Sequence, residues 1–175
     1  MDKLFILYGE QNAGKTSTLR KVFEMLTGYT LLKSHGPQKD LRVIFNVGDK
    51  TVFMATYGDD PGVIRRNFAF FNKSKNFNTA YELIDGELKK IENSRYQEFT
   101  QDLCISACRI YKNGQPNIVY DEVNKQIMDC MPVIGGIQWI AKTQSTVKRS
   151  KRRDINTDLE TALTIVAEII QETIV

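Results

Sequence analysis

The sequence predicts an α/β domain of three layers, with a mainly parallel sheet and one antiparallel strand. Three observations predict it. Leu4 to Tyr8, Asp102 to Cys108 and Ile137 to Ala141 are near-continuous apolar runs of strand length, the pattern of strands buried on both faces of a parallel sheet. Segments with helical periodicity separate such runs. Arg42 to Val47 and Thr51 to Thr56 are rich in β-branched and aromatic residues, and the short Gly48-Asp49-Lys50 link makes them an antiparallel hairpin.

Each element has local support. Leu4 to Tyr8 ends at Gly9, and the helix expected over Thr16 to Thr27 puts Leu19, Val22, Phe23 and Leu26 on one face before Gly28. Lys33 to Asp40 reads as a loop. Asp60-Pro61 has the form of an N-cap followed by a first-turn proline, with Ile64, Phe68 and Phe71 behind it at helical spacing. Another helix is expected from Asn78 to about Asn93, and a further one where Ile118 or Val119, Val123, Ile127 and Met131 follow Pro116-Asn117. Thr157-Asp158-Leu159-Glu160 matches a capping box, which opens a closing helix whose apolar stripe is Leu159, Leu163, Val166, Ile170 and Ile174.

The 175 residues suit a single domain over 1–175. With 42% hydrophobic and 26% charged residues, composition excludes a disordered or low-complexity chain. The net charge of +3 comes from 24 Lys+Arg against 21 Asp+Glu, and five of the basic residues lie together: Lys148, Arg149, Lys151, Arg152 and Arg153. No apolar run reaches the roughly 18–20 residues of a membrane span, and Leu4 to Tyr8 is short for a secretory leader. Cys104, Cys108 and Cys130 form no CxxC, and His35 is the one histidine, so neither a disulfide framework nor a zinc site is expected. Cys104 and Cys108 should share one strand face as small buried hydrophobes. A cytoplasmic protein without a membrane anchor is expected.

Gly9-Glu10-Gln11-Asn12-Ala13-Gly14-Lys15-Thr16 fits G-x-x-x-x-G-K-[ST] in full, between a buried strand and a helix. Glycines let successive N–H groups turn inward around a phosphate, and the helix beginning near Lys15 adds its positive end. At these residues the chain resembles the P-loop NTPase superfamily, in a small-kinase-like or GTPase-like form. The resemblance is specific over about the first 28 residues and architectural beyond them. It implies a three-layer P-loop fold that binds ATP or GTP with Mg²⁺. Nucleotide-binding residues are then Gly9, Asn12, Ala13, Gly14, Lys15, Thr16 and Ser17, with Lys15 on the β- and γ-phosphates and the Thr16 hydroxyl on the metal.

Such a site also needs a carboxylate on the metal side. Asp59 is favoured, because it follows a strand end and Asp59-Asp60-Pro61-Gly62 looks like the D-x-x-G element of GTPase-like members; Asp60 reads better as the helix cap. Asp121-Glu122 after Ile118-Val119-Tyr120 competes, resembling ATPase families that use glutamate to polarise water, but it better suits the first turn of a helix, since only three apolar residues precede it. Asp102 precedes its strand and should lie at the sheet end away from a nucleotide. Arg109 follows a buried strand and is the second catalytic candidate, beside Lys15, with a surface ion pair as its plainer role. Arg65 and Arg66 read as solvent-facing. Gly58-Asp59 and Ala107-Cys108-Arg109 faintly resemble a group of small bacterial and phage P-loop proteins, a likeness of position only.

No N-K-x-D is present, since Asn72-Lys73-Ser74-Lys75 and Asn124-Lys125-Gln126-Ile127 lack the final Asp, so ATP is preferred to GTP. No LSGGQ signature occurs. The leading expectation is an ATP- and Mg²⁺-dependent phosphotransferase of the small-kinase type, or an NTPase. Its acceptor would be a small molecule or a protein. The alternative is a nucleotide-dependent switch in which Thr30 to Asp40 and Asp59 to Arg66 meet a protein partner. A third class is a nucleic-acid-associated ATPase using Lys148 to Arg153, less favoured because no aromatic residue is interleaved there.

Overall fold

The structure is a computed structural model that describes residues 2–9, 13–31, 40–58, 80–92, 102–109, 125, 133–142 and 155–174. Within them lie seven strands and two helices. β1 is Lys3–Gly9, α1 Lys15–Thr27, β2 Arg42–Val47, β3 Lys50–Ala55, β4 Tyr81–Ile84, β5 Glu87–Lys90, β6 Leu103–Arg109, β7 Ile137–Ala141 and α2 Ile155–Thr173. The helices expected behind Asp60-Pro61 and over Ile118 to Met131 fall outside the described residues, Lys125 excepted.

All seven strands form one mixed, mostly parallel sheet in the order β5-β4-β2-β3-β6-β1-β7. β1 pairs in parallel with β6 and β7, and β3 in parallel with β6, so these four share a direction. β2 is antiparallel to β3, β4 parallel to β2, and β5 antiparallel to β4. Two strands, β2 and β4, therefore oppose the majority, where one was expected, and β2 is internal.

The second reversal comes from residues 81–90, where a helix was expected and a hairpin stands. Tyr81, Leu83 and Leu88 pack on one cluster of the core, and the turn is Asp85-Gly86 with φ of 52° and 77°. Positive φ at both central positions is what a tight two-residue hairpin turn requires, and Asp-Gly supplies it. The β2–β3 turn, Gly48-Asp49, needs positive φ only at its first central position, where Gly48 has φ 60°.

The central strands are buried on both faces, as their apolar runs imply. Leu4 and Ile6 of β1 join Cys104 and Cys108 of β6 and Phe53 and Ala55 of β3 in one cluster. Phe5, Leu7, Leu103, Ile105 and Met54 point the other way, into a cluster with Leu19, Val22 and Phe23 of α1 and Ala162, Ile165 and Ile169 of α2. Both described helices thus cover the same face and pack on each other. Cys104 and Cys108 are free and buried on one strand face, and burial pushes the Cys104 thiol well above its ordinary pKa.

α2 departs from its expected register. It begins at Ile155, so Thr157 lies inside the first turn and is not the cap. Its buried face is Asp158, Ala162, Ile165 and Ile169, whereas Leu159, Leu163, Ile170 and Ile174 are 38%, 49%, 43% and 73% exposed. Among the described residues no helix is long and apolar enough to cross a membrane.

Candidate functional site

β1, β3, β6 and β7 all end at the same sheet edge, with Gly9, Ala55, Arg109 and Ala141, and the reversed β2 begins there at Arg42. Ligands of open α/β sheets bind beyond such a carboxyl edge. Gly9 passes very close to the end of β7: a Cβ on it would lie 2.7 Å from the Lys142 carbonyl oxygen. The Lys142 amide meanwhile donates to the Tyr8 carbonyl at 2.7 Å. Only a glycine lets the two strand ends stay this near while the chain turns away into the loop.

Gly14 closes the loop and is the N-cap of α1, in the left-handed conformation with φ 96° and ψ 21°. It makes no side-chain capping hydrogen bond, and no acidic residue occupies the first turn. The amides at the start of α1 therefore meet the positive end of the helix dipole without a carboxylate of their own turn. Lys15 leads the helix, and its Nζ donates to the Gly9 carbonyl at 3.0 Å, spanning the mouth of the loop. Ala13 is buried, and Ser17 is half-buried one position beyond Thr16.

Thr16 links three elements. Its Oγ1 donates to the Thr56 carbonyl at 3.1 Å and lies 3.3 Å from Asp40 Oδ1. Thr56 is fully buried just past β3 and is held from the other side, where its Oγ1 accepts from the Leu41 amide at 2.8 Å and its own amide donates to the Leu41 carbonyl at 2.9 Å. Four residues along α1 from Thr16, Arg20 is buried, which lowers its pKa, and the charges of Glu24 and Asp40 oppose that shift.

Arg109 ends β6, between the ends of β3 and β1. It pairs with Gly9 in the β1–β6 register, and its amide donates to the Gly58 carbonyl at 2.8 Å. β3 does parallel β1, with β6 between them, so the chain leading to residue 59 leaves from the loop's edge. Asp102 lies at the opposite edge, as expected: its backbone and Oδ2 bond both sides of Thr51, and its carbonyl accepts from Asp2.

Sequence reasoning missed four members of this edge. Asp40 stood at the end of an expected loop, Thr56 at a strand end, Lys142 after the last strand, and Asp158 in the capping box. The Lys142 ammonium and Asp158 Oδ1 are 2.9 Å apart and almost wholly buried. Asp158 also lies against Gly14, where an added Cβ would come within 2.5 Å of its Oδ1. A lysine one residue past the last strand and an aspartate in the first turn of the following helix were the available signal, but their meeting is set by tertiary packing. Asn12, Asp59, Asp60, Arg65, Arg66, Asp121, Glu122 and Lys148 to Arg153 lie outside the described residues.

At this edge the described residues offer cations at Lys15 and Arg109, the carboxylate of Asp40 and the amides of a helix start, while Lys142 and Asp158 are spent on each other. That combination suits a ligand that is itself polyanionic and carries a hard cation. Comparison with family models, with curated proteins and with solved structures finds no match.

Proposed function

We propose that the chain is a P-loop NTPase-type protein of three-layer fold that binds ATP with Mg²⁺ and acts as a phosphotransferase of the small-kinase type or as an NTPase. One observation carries the reading: within the eight-residue spacing from Gly9 to Thr16, Lys15 Nζ at the head of α1 comes within 3.0 Å of the Gly9 carbonyl at the end of β1. A phosphate group seated between them would exchange this internal contact for stronger, charge-assisted ones.

The roles follow from position. Lys15 neutralises charge on the β- and γ-phosphates, and the amides from Ala13 to Ser17 take phosphate oxygens. Arg109, at the end of β6, supplies a second cation for charge that develops on the transferring phosphoryl group. Thr16 offers its hydroxyl, and the oxygens already gathered around it are the donor type that Mg²⁺ takes. When bound, Mg²⁺ would bridge phosphate oxygens and offset their charge.

The test is thermal unfolding with ATP and Mg²⁺. At a hundredfold excess over Kd the ligand should stabilise the protein by about 2.7 kcal/mol, and Lys15→Ala should abolish that gain. Equal stabilisation of both proteins would sink the assignment.

The Thr16–Asp40 contact also favours a second reading, a nucleotide-dependent switch, because it ties the end of the Thr30 to Asp40 stretch to the phosphate loop. Slow hydrolysis accelerated by a protein partner would support the switch; phosphate transfer to a small acceptor supports the kinase.

A further inference from the structure

We infer that Asp40 is the carboxylate that serves the Mg²⁺ side of this site, an inference that rests on the nucleotide-binding reading above. Three oxygens of different origin converge here: Thr16 Oγ1 from α1, the Thr56 carbonyl after β3, and Asp40 Oδ1 before β2. No nitrogen or sulfur donor takes part in these contacts. Hard divalent cations prefer such a set, and Mg²⁺ with bonds of about 2.1 Å at right angles puts neighbouring ligands about 3.0 Å apart. The Thr16–Asp40 separation of 3.3 Å is close to that spacing.

Asp40 is held in place by its chain neighbour. Its successor Leu41 makes both of its hydrogen bonds to Thr56, which anchors the start of β2 to the end of β3. Asp40 itself is exposed, so its carboxylate, with about four lone-pair sites, can accept further partners. Arg20 is the charged group facing it from α1, and it draws on Glu24 as well as on Asp40. A carboxylate placed beside a buried guanidinium and a threonine hydroxyl is held in orientation. That suits a group that receives a divalent cation brought in with nucleotide phosphate.

The experiment measures the affinity of a non-hydrolysable ATP analogue by calorimetry, in Mg²⁺ and in EDTA, for wild type and Asp40→Asn. The readout is the ratio of the two affinities, in which any general loosening of the loop cancels. Wild type should bind tighter with Mg²⁺, and Asp40→Asn should lose about tenfold or more of that ratio, the scale of a removed metal-site group, while its EDTA affinity changes little. An unchanged ratio in Asp40→Asn overturns the inference alone. Failure of wild type to bind the analogue under either condition overturns the nucleotide reading and this inference together. Should Asp40→Asn not fold, Asp40→Glu keeps the charge beside Arg20 but displaces the oxygens, and it is expected to lower the ratio at least about threefold. A wild-type ratio there overturns the inference equally.

Discussion

Gly14 answers to two constraints at once. Its φ of 96° is costly for any L side chain, by about 1–2 kcal/mol, and the Asp158 carboxylate fills the space a Cβ would take. Gly14→Ala should therefore destabilise the protein by more than the backbone term alone, read as a lower urea midpoint at unchanged slope. Adding Asp158→Ala should not restore stability, because that change strands Lys142. Removing one partner of so buried a pair costs about 3–5 kcal/mol, whereas replacing both with apolar groups costs less. Asp158→Ala alone should thus be more damaging than Lys142→Met with Asp158→Leu. The opposite ranking would mean the pair contributes little to holding the loop. The placement of Gly9, Gly14, Lys15 and Thr16 between β1 and α1 was legible because it depends on spacing within eight residues. Asp158 was not, since its partners Gly14 and Lys142 come from two distant stretches of chain.

Elements were legible where one local rule sufficed. β1 and β6, buried on both faces, declared themselves as near-continuous apolar runs. β7 spans Ile137–Ala141 as its run does, but it is an edge strand and only half-buried. The Asp85-Gly86 turn was equally local, yet the helical spacing assigned to residues 78–93 hid it. α2 failed for a different reason. Ala162, Ile165 and Ile169 offer one stripe and Leu159, Leu163, Ile170 and Ile174 an adjoining one, so the broad apolar arc does not reveal which part of it is inward. Packing against α1 decides, and it selects the side with small Ala162. Ile165→Ala should accordingly cost about 2–5 kcal/mol. Leu163→Glu, on the exposed side, should stay within about 0.5 kcal/mol. If Leu163→Glu proved the more destabilising in urea denaturation, the helix would be rotated from the orientation described.

For the molecule as a whole, two resolved shifts bear on how stability varies with alkaline pH, and they act in the same direction. Cys104 is fully buried on β6, and desolvation raises its pKa well above the ordinary thiol value. The unfolded chain loses this proton near pH 8.5 while the folded chain keeps it, so the unfolded state binds fewer protons and stability falls as pH rises from there. Lys50 is a base whose pKa is raised, first by its hydrogen bond to Asp2 and then by that carboxylate's charge. Its contribution is full below about pH 10.4 and is lost as pH climbs through the higher folded value. Because Lys50 lies at the surface, its part is small and weakened by salt. Between about pH 8.5 and 9.5 the thiol dominates, with a limiting slope of about 1.4 kcal/mol per pH unit for one proton. Urea unfolding across that range should show stability declining in the wild type and a shallower decline in Cys104→Ala. That variant is expected to start from a lower value at pH 7, because it leaves a small cavity in the sheet core. Equal slopes in the two proteins would mean that Cys104 ionises as easily folded as unfolded, which is incompatible with its place between β1 and β3.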